Sequence, residues 1–73
     1  MATFSDRVRE LRKEKGLKQR ELADICGLTL RGYQQYEYAV GFPDVPKLVI
    51  LADYFDVSLD YLMGRTDKRE VNR

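Results

Sequence analysis

The strongest constraint on this 73-residue chain is Gly27, which divides residues 19–37, Gln-Arg-Glu-Leu-Ala-Asp-Ile-Cys-Gly-Leu-Thr-Leu-Arg-Gly-Tyr-Gln-Gln-Tyr-Glu, into two short helical patterns. Before it, Leu22, Ala23 and Cys26 share one face with Ile25 at the border, and the small Ala23 lets another helix approach closely. Glycine ends such a helix because its backbone enters the left-handed region without penalty. After it, the Thr29 hydroxyl can accept a hydrogen bond from the first free amides of a helix running to about Tyr38. Gly32 inside that helix costs roughly 1 kcal/mol relative to alanine, so the helix depends on support from elsewhere in the fold. Gly32 is either simply tolerated or keeps room for a backbone to approach.

The rest of the chain has the same helical period. Phe4, Val8 and Leu11 form one stripe over residues 4–15, with Thr3 or Ser5 as cap and Gly16 as stop. Asp44 caps a fourth helix with Pro46 in its first turn and a stripe of Leu48, Leu51, Ala52 and Phe55. Ser58 caps a short fifth helix through Leu59, Tyr61, Leu62 and Met63, stopped by Gly64. Alternation at period two is absent over any useful length. The expected fold is all-α: five helices in one compact domain over residues 1–64, followed by a polar tail, 65–73, expected to fray.

A chain this short supports one small domain, burying about 60% of its unfolded surface. The single cysteine, Cys26, excludes an intramolecular disulfide, and with no histidine the usual zinc ligand sets cannot be completed. No cofactor or metal is expected. The start lacks the basic and apolar segments of an export signal, and no run is long enough to span a bilayer, so a soluble cytoplasmic protein with no membrane partner is expected. Catalysis is disfavoured as well. Ser5 and Ser58 both read as caps, Cys26 lies on an apolar face, and the carboxylates Asp56 and Asp60 have no evident pocket around them.

The net charge of +1 conceals an uneven distribution. Residues 1–31 carry eight Lys or Arg against five acids, whereas residues 32–64 carry Lys47 alone against Glu37, Asp44, Asp53, Asp56 and Asp60. A polyanion would meet the N-terminal half, since like charge repels phosphate. Ordinary solvated helix faces are the competing explanation.

Residues 19–37 thus have the form of a helix-turn-helix, whose second helix enters the DNA major groove. At 100° per residue, Tyr33, Tyr36 and Glu37 fall on one side of that helix and Arg31, Gln34 and Gln35 on the other, with Leu30 between. Arginine can bond bidentately to guanine and glutamine to adenine, while Leu30 and the Thr29 methyl can meet a thymine methyl. Thr29, Leu30, Arg31, Gln34 and Gln35 are therefore the candidate base contacts. Gln19 can offer its carboxamide to a phosphate at the start of the preceding helix, with Lys18 and Arg20 adding charge and Tyr38 and Phe42 approaching from the far loop. Exposed residues of these types also occur on helices that bind nothing.

The chain resembles the phage-repressor and Cro type of helix-turn-helix proteins, the xenobiotic-response-element family of transcriptional regulators. The resemblance covers residues 4–64 and rests on Leu11-Arg12-Lys13-Glu14-Lys15-Gly16-Leu17-Lys18-Gln19, Glu21-Leu22-Ala23, Gly27-Leu28-Thr29, Tyr36-Glu37, Pro43, Leu51-Ala52 and Val57-Ser58-Leu59-Asp60-Tyr61-Leu62-Met63-Gly64. It implies a third helix in the major groove, Gln19 on a phosphate, and Thr29, Leu30, Arg31 and Gln35 facing bases. It also implies an ion pair between Arg12 and Glu37, and both residues border apolar stripes. Two positions depart from the family pattern: Ala39 stands where glycine is usual, and the large Tyr33 where a small or β-branched residue is. Many members carry a C-terminal sensing or dimerising domain; no such part is evident in these 73 residues.

Two functions compete. One is a small regulator, repressing by occlusion as a homodimer on a (pseudo)palindromic double-stranded operator, with Val57, Leu59, Tyr61 and Met63 as the candidate dimer surface. The other is a protein-interaction module, antitoxin-like or anti-repressor, that uses the acidic 44–60 segment and the tyrosines.

Overall fold

The computed structural model describes residues 2–71 and contains α1 (Phe4–Glu14), α2 (Gln19–Ile25), α3 (Leu30–Glu37), α4 (Val45–Phe55) and α5 (Leu59–Leu62), with no strand among the described residues. Each helix begins where a side chain satisfies a free amide. At α1 the Thr3 hydroxyl accepts from the Asp6 amide at 3.3 Å while the Asp6 carboxylate accepts from the Thr3 amide at 3.1 Å, a reciprocal capping box. Thr29, Asp44 and Ser58 accept from the amides of Gly32, Lys47 and Tyr61 at 3.0, 3.0 and 2.9 Å. Thr3, rather than Ser5, caps α1. Ser5 is buried one turn in and donates to the Tyr36 carbonyl at 2.6 Å, tying α1 to the end of α3.

Burial of one stripe from each helix makes a single core. Val8 and Leu11 of α1, Leu22 and Ala23 of α2, Tyr33 and Tyr36 of α3, Leu51, Ala52 and Phe55 of α4 and Leu62 of α5 meet there, with Cys26 and Val57. Cys26 is a packed thiol, and burial raises its pKa. Phe4 and Tyr33 both meet Tyr36 edge-on, with ring centroids 6.0 Å apart in each case. No helix among the described residues is long and apolar enough to cross a membrane.

The turn after α5 seats directly on the extended N-terminal segment. Gly64 has φ +79°, and a Cβ built there would lie 2.2 Å from the Ala2 carbonyl oxygen, so only glycine fits this backbone-to-backbone approach. Ala39, just past α3, has φ +58°. It holds the left-handed position without the glycine that the resemblance associates with it.

Of the tail, 65–73, residues 72 and 73 lie outside the described residues, and residues 65–71, rather than fraying, fold back along α1 and α5. The Ser58 amide donates to the Arg69 carbonyl at 2.9 Å, Arg69 pairs with Glu14 at 2.5 Å, and Arg7 pairs with Asp67 at 2.8 Å. Tyr61 anchors this docking: the Arg7 guanidinium carbon sits 3.9 Å from its ring centroid, and Arg69 donates to its hydroxyl at 3.1 Å. The ion pairs of Asp67 with Arg7 and of Arg69 with Glu14 offset the polar composition that would otherwise favour disorder. Of the four dimer candidates, Val57 and Tyr61 are only 4% and 3% exposed and offer no surface, because they fill the core and the tail contact. Leu59 and Met63, at 44% and 40%, remain exposed.

Candidate nucleic-acid interface

The turn between α2 and α3 is set by Gly27, at φ +70°, and closed by a bond from the Leu28 amide to the Ala23 carbonyl at 2.8 Å. Glu21 accepts from the Lys18 amide at 2.9 Å and so fixes the start of α2. This holds α2 and α3 against each other, and α3 also packs on α1. The short α3, with its internal glycine, takes its support from these contacts.

The two sides of α3 separate by burial. Tyr33, Tyr36 and Glu37 are buried, whereas Thr29, Arg31 and Gln35 are exposed and Leu30 and Gln34 half-buried. The Thr29 hydroxyl accepts the capping bond from the Gly32 amide, and its own proton and the methyl group both remain for a ligand. A Cβ on Gly32 would lie 3.2 Å from the Thr29 Oγ1, so the glycine also keeps the capping hydroxyl uncrowded. Lys18 and Arg20 are exposed at the start of α2, and Gln19 is half-buried between them. Tyr38 is exposed at the C-terminal cap of α3, and Phe42 is exposed yet leans on Phe4 at a centroid distance of 6.1 Å.

Behind the outward side lies a polar cluster centred on Glu37. Arg12 Nε meets Glu37 Oε2 at 2.5 Å and Arg12 Nη2 meets Oε1 at 3.2 Å, while Arg12 Nη1 donates to the Leu17 carbonyl at 2.8 Å. Glu37 also accepts from the Tyr33 hydroxyl and, at 3.0 Å, from Gln19 Nε2. Burial by itself would raise the pKa of the Glu37 carboxyl, but the hydrogen bonds from Arg12, Tyr33 and Gln19 outweigh it and hold the carboxyl below its ordinary value. The Tyr33 phenol is pushed far above its usual range by burial and by the adjacent carboxylate. The carboxylate therefore stays ionised with a full set of donors, a condition a buried charge must meet.

One contact was not anticipated: Gln34 Nε2 donates to Gln19 Oε1 at 3.0 Å. Both residues are also candidates for DNA contact, Gln19 to phosphate and Gln34 to a base. Their only signal in the sequence was that each lies on the polar side of its own helix.

Among known proteins, the profile of the helix-turn-helix family matches residues 8–62. The uncharacterised HTH-type transcriptional regulator YobD of Bacillus subtilis is 42% identical over 88% of this chain and 57% of its own length. The cryptic phage CTXphi transcriptional repressor RstR of Vibrio cholerae is 36% identical over 92% of this chain and 62% of its own. The crystal structure of a transcriptional regulator from Listeria innocua superposes with a TM-score of 0.84 at 34% identity, over 97% of this chain and 64% of that one. The P22 c2 repressor, solved in complex with a synthetic operator, shares the fold at a TM-score of 0.82 and 24% identity, over 90% of this chain and 100% of that one. This chain thus spans about 57% of YobD and 62% of RstR. It belongs to the phage-repressor and Cro type of helix-turn-helix proteins, the xenobiotic-response-element family of transcriptional regulators.

Proposed function

We propose that this chain binds double-stranded DNA sequence-specifically as a small transcriptional regulator, with α3 in the major groove. The observation that carries the reading is the partition of α3: its buried side is locked to α1 and α2 through Tyr33, Tyr36 and Glu37, which leaves Arg31 and Gln35 outward, flanked by Thr29, Leu30 and Gln34. Arg31 reads guanine and the glutamines read adenine by their donor and acceptor patterns. Lys18, Arg20 and Gln19 engage phosphate and set the register, with Tyr38 and Phe42 at the other end of the helix. The acidic second half, carrying Asp53, Asp56 and Asp60, faces away from the polyanion.

The operator is (pseudo)palindromic and is met by a homodimer, with half-sites about 34 to 36 Å apart. The second copy packs on the face bearing Leu59 and Met63, and binding represses by occluding polymerase. Relatives named as transcriptional regulators, one of them a phage repressor, support this reading.

The test is selection from a randomised duplex pool, followed by affinity measurements across ionic strength. A palindromic winner with a steep salt dependence is expected. Binding without sequence preference, or tight capture of a protein partner with no DNA binding, would replace this reading with electrostatic association or with a protein-interaction role.

A further inference from the structure

We propose that the groove between α4 and α5 docks a basic amphipathic segment of a partner protein, with apolar side chains inward and Lys or Arg at its edges. Val49, Ala52, Asp53 and Asp56 follow one another at steps of three, one and three, so one face of α4 and its C-terminal cap supply both an apolar strip and two carboxylates. Val57, Leu59 and Asp60 close the groove from the α5 side, and Val71 of the docked tail lines it too, around a space of roughly 660 Å3. Val49, Leu59 and Val71 are 39%, 44% and 38% exposed beside the buried Ala52 and Val57. Among the described residues, none that lines the groove is basic. Asp60 stands in a long, exposed pair with Arg65 at 3.9 Å, weak enough to exchange for another cation.

Charge selects the occupant. Asp53, Asp56 and Asp60 repel nucleic acid and anionic lipid and favour Lys or Arg. A second copy is disfavoured on the same ground, because a two-fold interface sets a patch against itself and would bring these carboxylates against their own counterparts. Met63, on the face given above to the second copy, lies outside the groove, so the two surfaces share Leu59 alone. An amphipathic helix laid in such a channel places its anchors at i, i+3, i+4 and i+7, while ion pairs at the rim fix its register and speed association. No residue of α2 or α3 lines the groove, so the proposal stands apart from the DNA-binding reading.

The experiment selects binders of the whole chain from a library of short random peptides displayed on phage. The winners are then synthesised and titrated by calorimetry and by amide NMR against the parent, Val49→Gln and the double variant Asp53→Asn with Asp60→Asn. All three positions are exposed, and thermal melts check that each variant folds. The winners should carry Lys or Arg beside Leu, Ile or Phe at helical spacing, and should shift the amides of Val49, Asp53, Leu59, Asp60 and Val71. Val49→Gln should weaken them about tenfold. The double asparagine variant should weaken them by a similar factor and flatten their salt dependence. No enrichment, acidic winners, or shifts confined to other amides would overturn the proposal. A scrambled peptide that binds as tightly as its parent sequence would reduce the effect to unspecific charge attraction and overturn it as well. Self-association that sedimentation equilibrium shows lost in Val49→Gln but kept in Met63→Gln would give the groove to a second copy instead.

Discussion

The Tyr33 hydroxyl donates to the carboxylate of Glu37 one turn further along α3, and both side chains are buried. The position where the resemblance suggested a small or β-branched residue is occupied by one that fills the core and also supplies a donor to a buried charge. Tyr33 and Tyr36 stack edge to face beside it, so the larger side chain brings its own packing partner.

Removing that donor should be measurable. Tyr33→Phe keeps the ring and loses one hydrogen bond to a charged group, an expected cost of about 1.5 to 3 kcal/mol. Glu37→Ala, which strands the Arg12 guanidinium, should cost more, about 3 to 5 kcal/mol. Urea melts of the two variants would establish the order. A Tyr33→Phe protein as stable as the parent would show that Arg12 and Gln19 satisfy the carboxylate alone.

Acid should act through the same group. The Glu37 carboxyl is held below its ordinary value of 4.5 in the folded state, so its contribution to stability is fully present above pH 4.5 and is lost as pH falls through the lower folded value. Glu14, bonded to Arg69, is shifted in the same direction. Stability of the parent should therefore fall below pH 4.5. In Glu37→Gln, thermal melts across pH 2 to 7 should show a lower plateau and a shallower acid decline.

Opposite effects are expected at two left-handed positions. Gly64→Ala adds the left-handed penalty of about 1 to 2 kcal/mol and a clash with the Ala2 carbonyl, and should destabilise by more than that penalty. Ala39→Gly relieves the same penalty at φ +58° and should stabilise by roughly 0.5 to 1 kcal/mol after the entropic cost of glycine. Differential scanning calorimetry on both variants reads the two signs directly.

Arg69 bridges Glu14 and the Tyr61 hydroxyl, while its own carbonyl accepts the Ser58 amide. In Arg69→Ala the tail should release. Hydrogen exchange at the Ser58 amide should then speed up while amides of α2 and α3 keep their protection. Unchanged exchange at Ser58 would mean that the Arg7–Asp67 pair and the stacking on Tyr61 suffice.

Arg31 and the α2 cations should separate specificity from affinity. Arg31→Ala should cost about 1 to 3 kcal/mol on the selected operator and relax preference at one position. Lys18→Ala or Arg20→Ala should weaken binding evenly across sequences and reduce the salt slope by about one. Fluorescence anisotropy titrations on specific and scrambled duplexes distinguish the two patterns.

The order and extent of the helices were legible in the linear chain, because caps and stripes are properties of neighbouring residues. Thr29, Asp44 and Ser58 start helices by satisfying amides three residues on, and Gly27 breaks one by its φ. The buried side of α3 followed from the helical period, and the Arg12–Glu37 pair from that period together with the family resemblance. What the tertiary structure decided were the pairings across long separations. Ser5 served the Tyr36 carbonyl 31 residues away instead of capping its own helix. Arg69 found Glu14 across 55 residues, which turned a polar tail into a docked one and, with Arg7, drew Tyr61 into the interior. Gln19 met Gln34 only because the turn at Gly27 brings α3 back against α2. A polar side chain carries no record in its own neighbourhood of which distant group will satisfy it; that is decided when the apolar stripes close and fix which polar atoms come within 3 Å of one another.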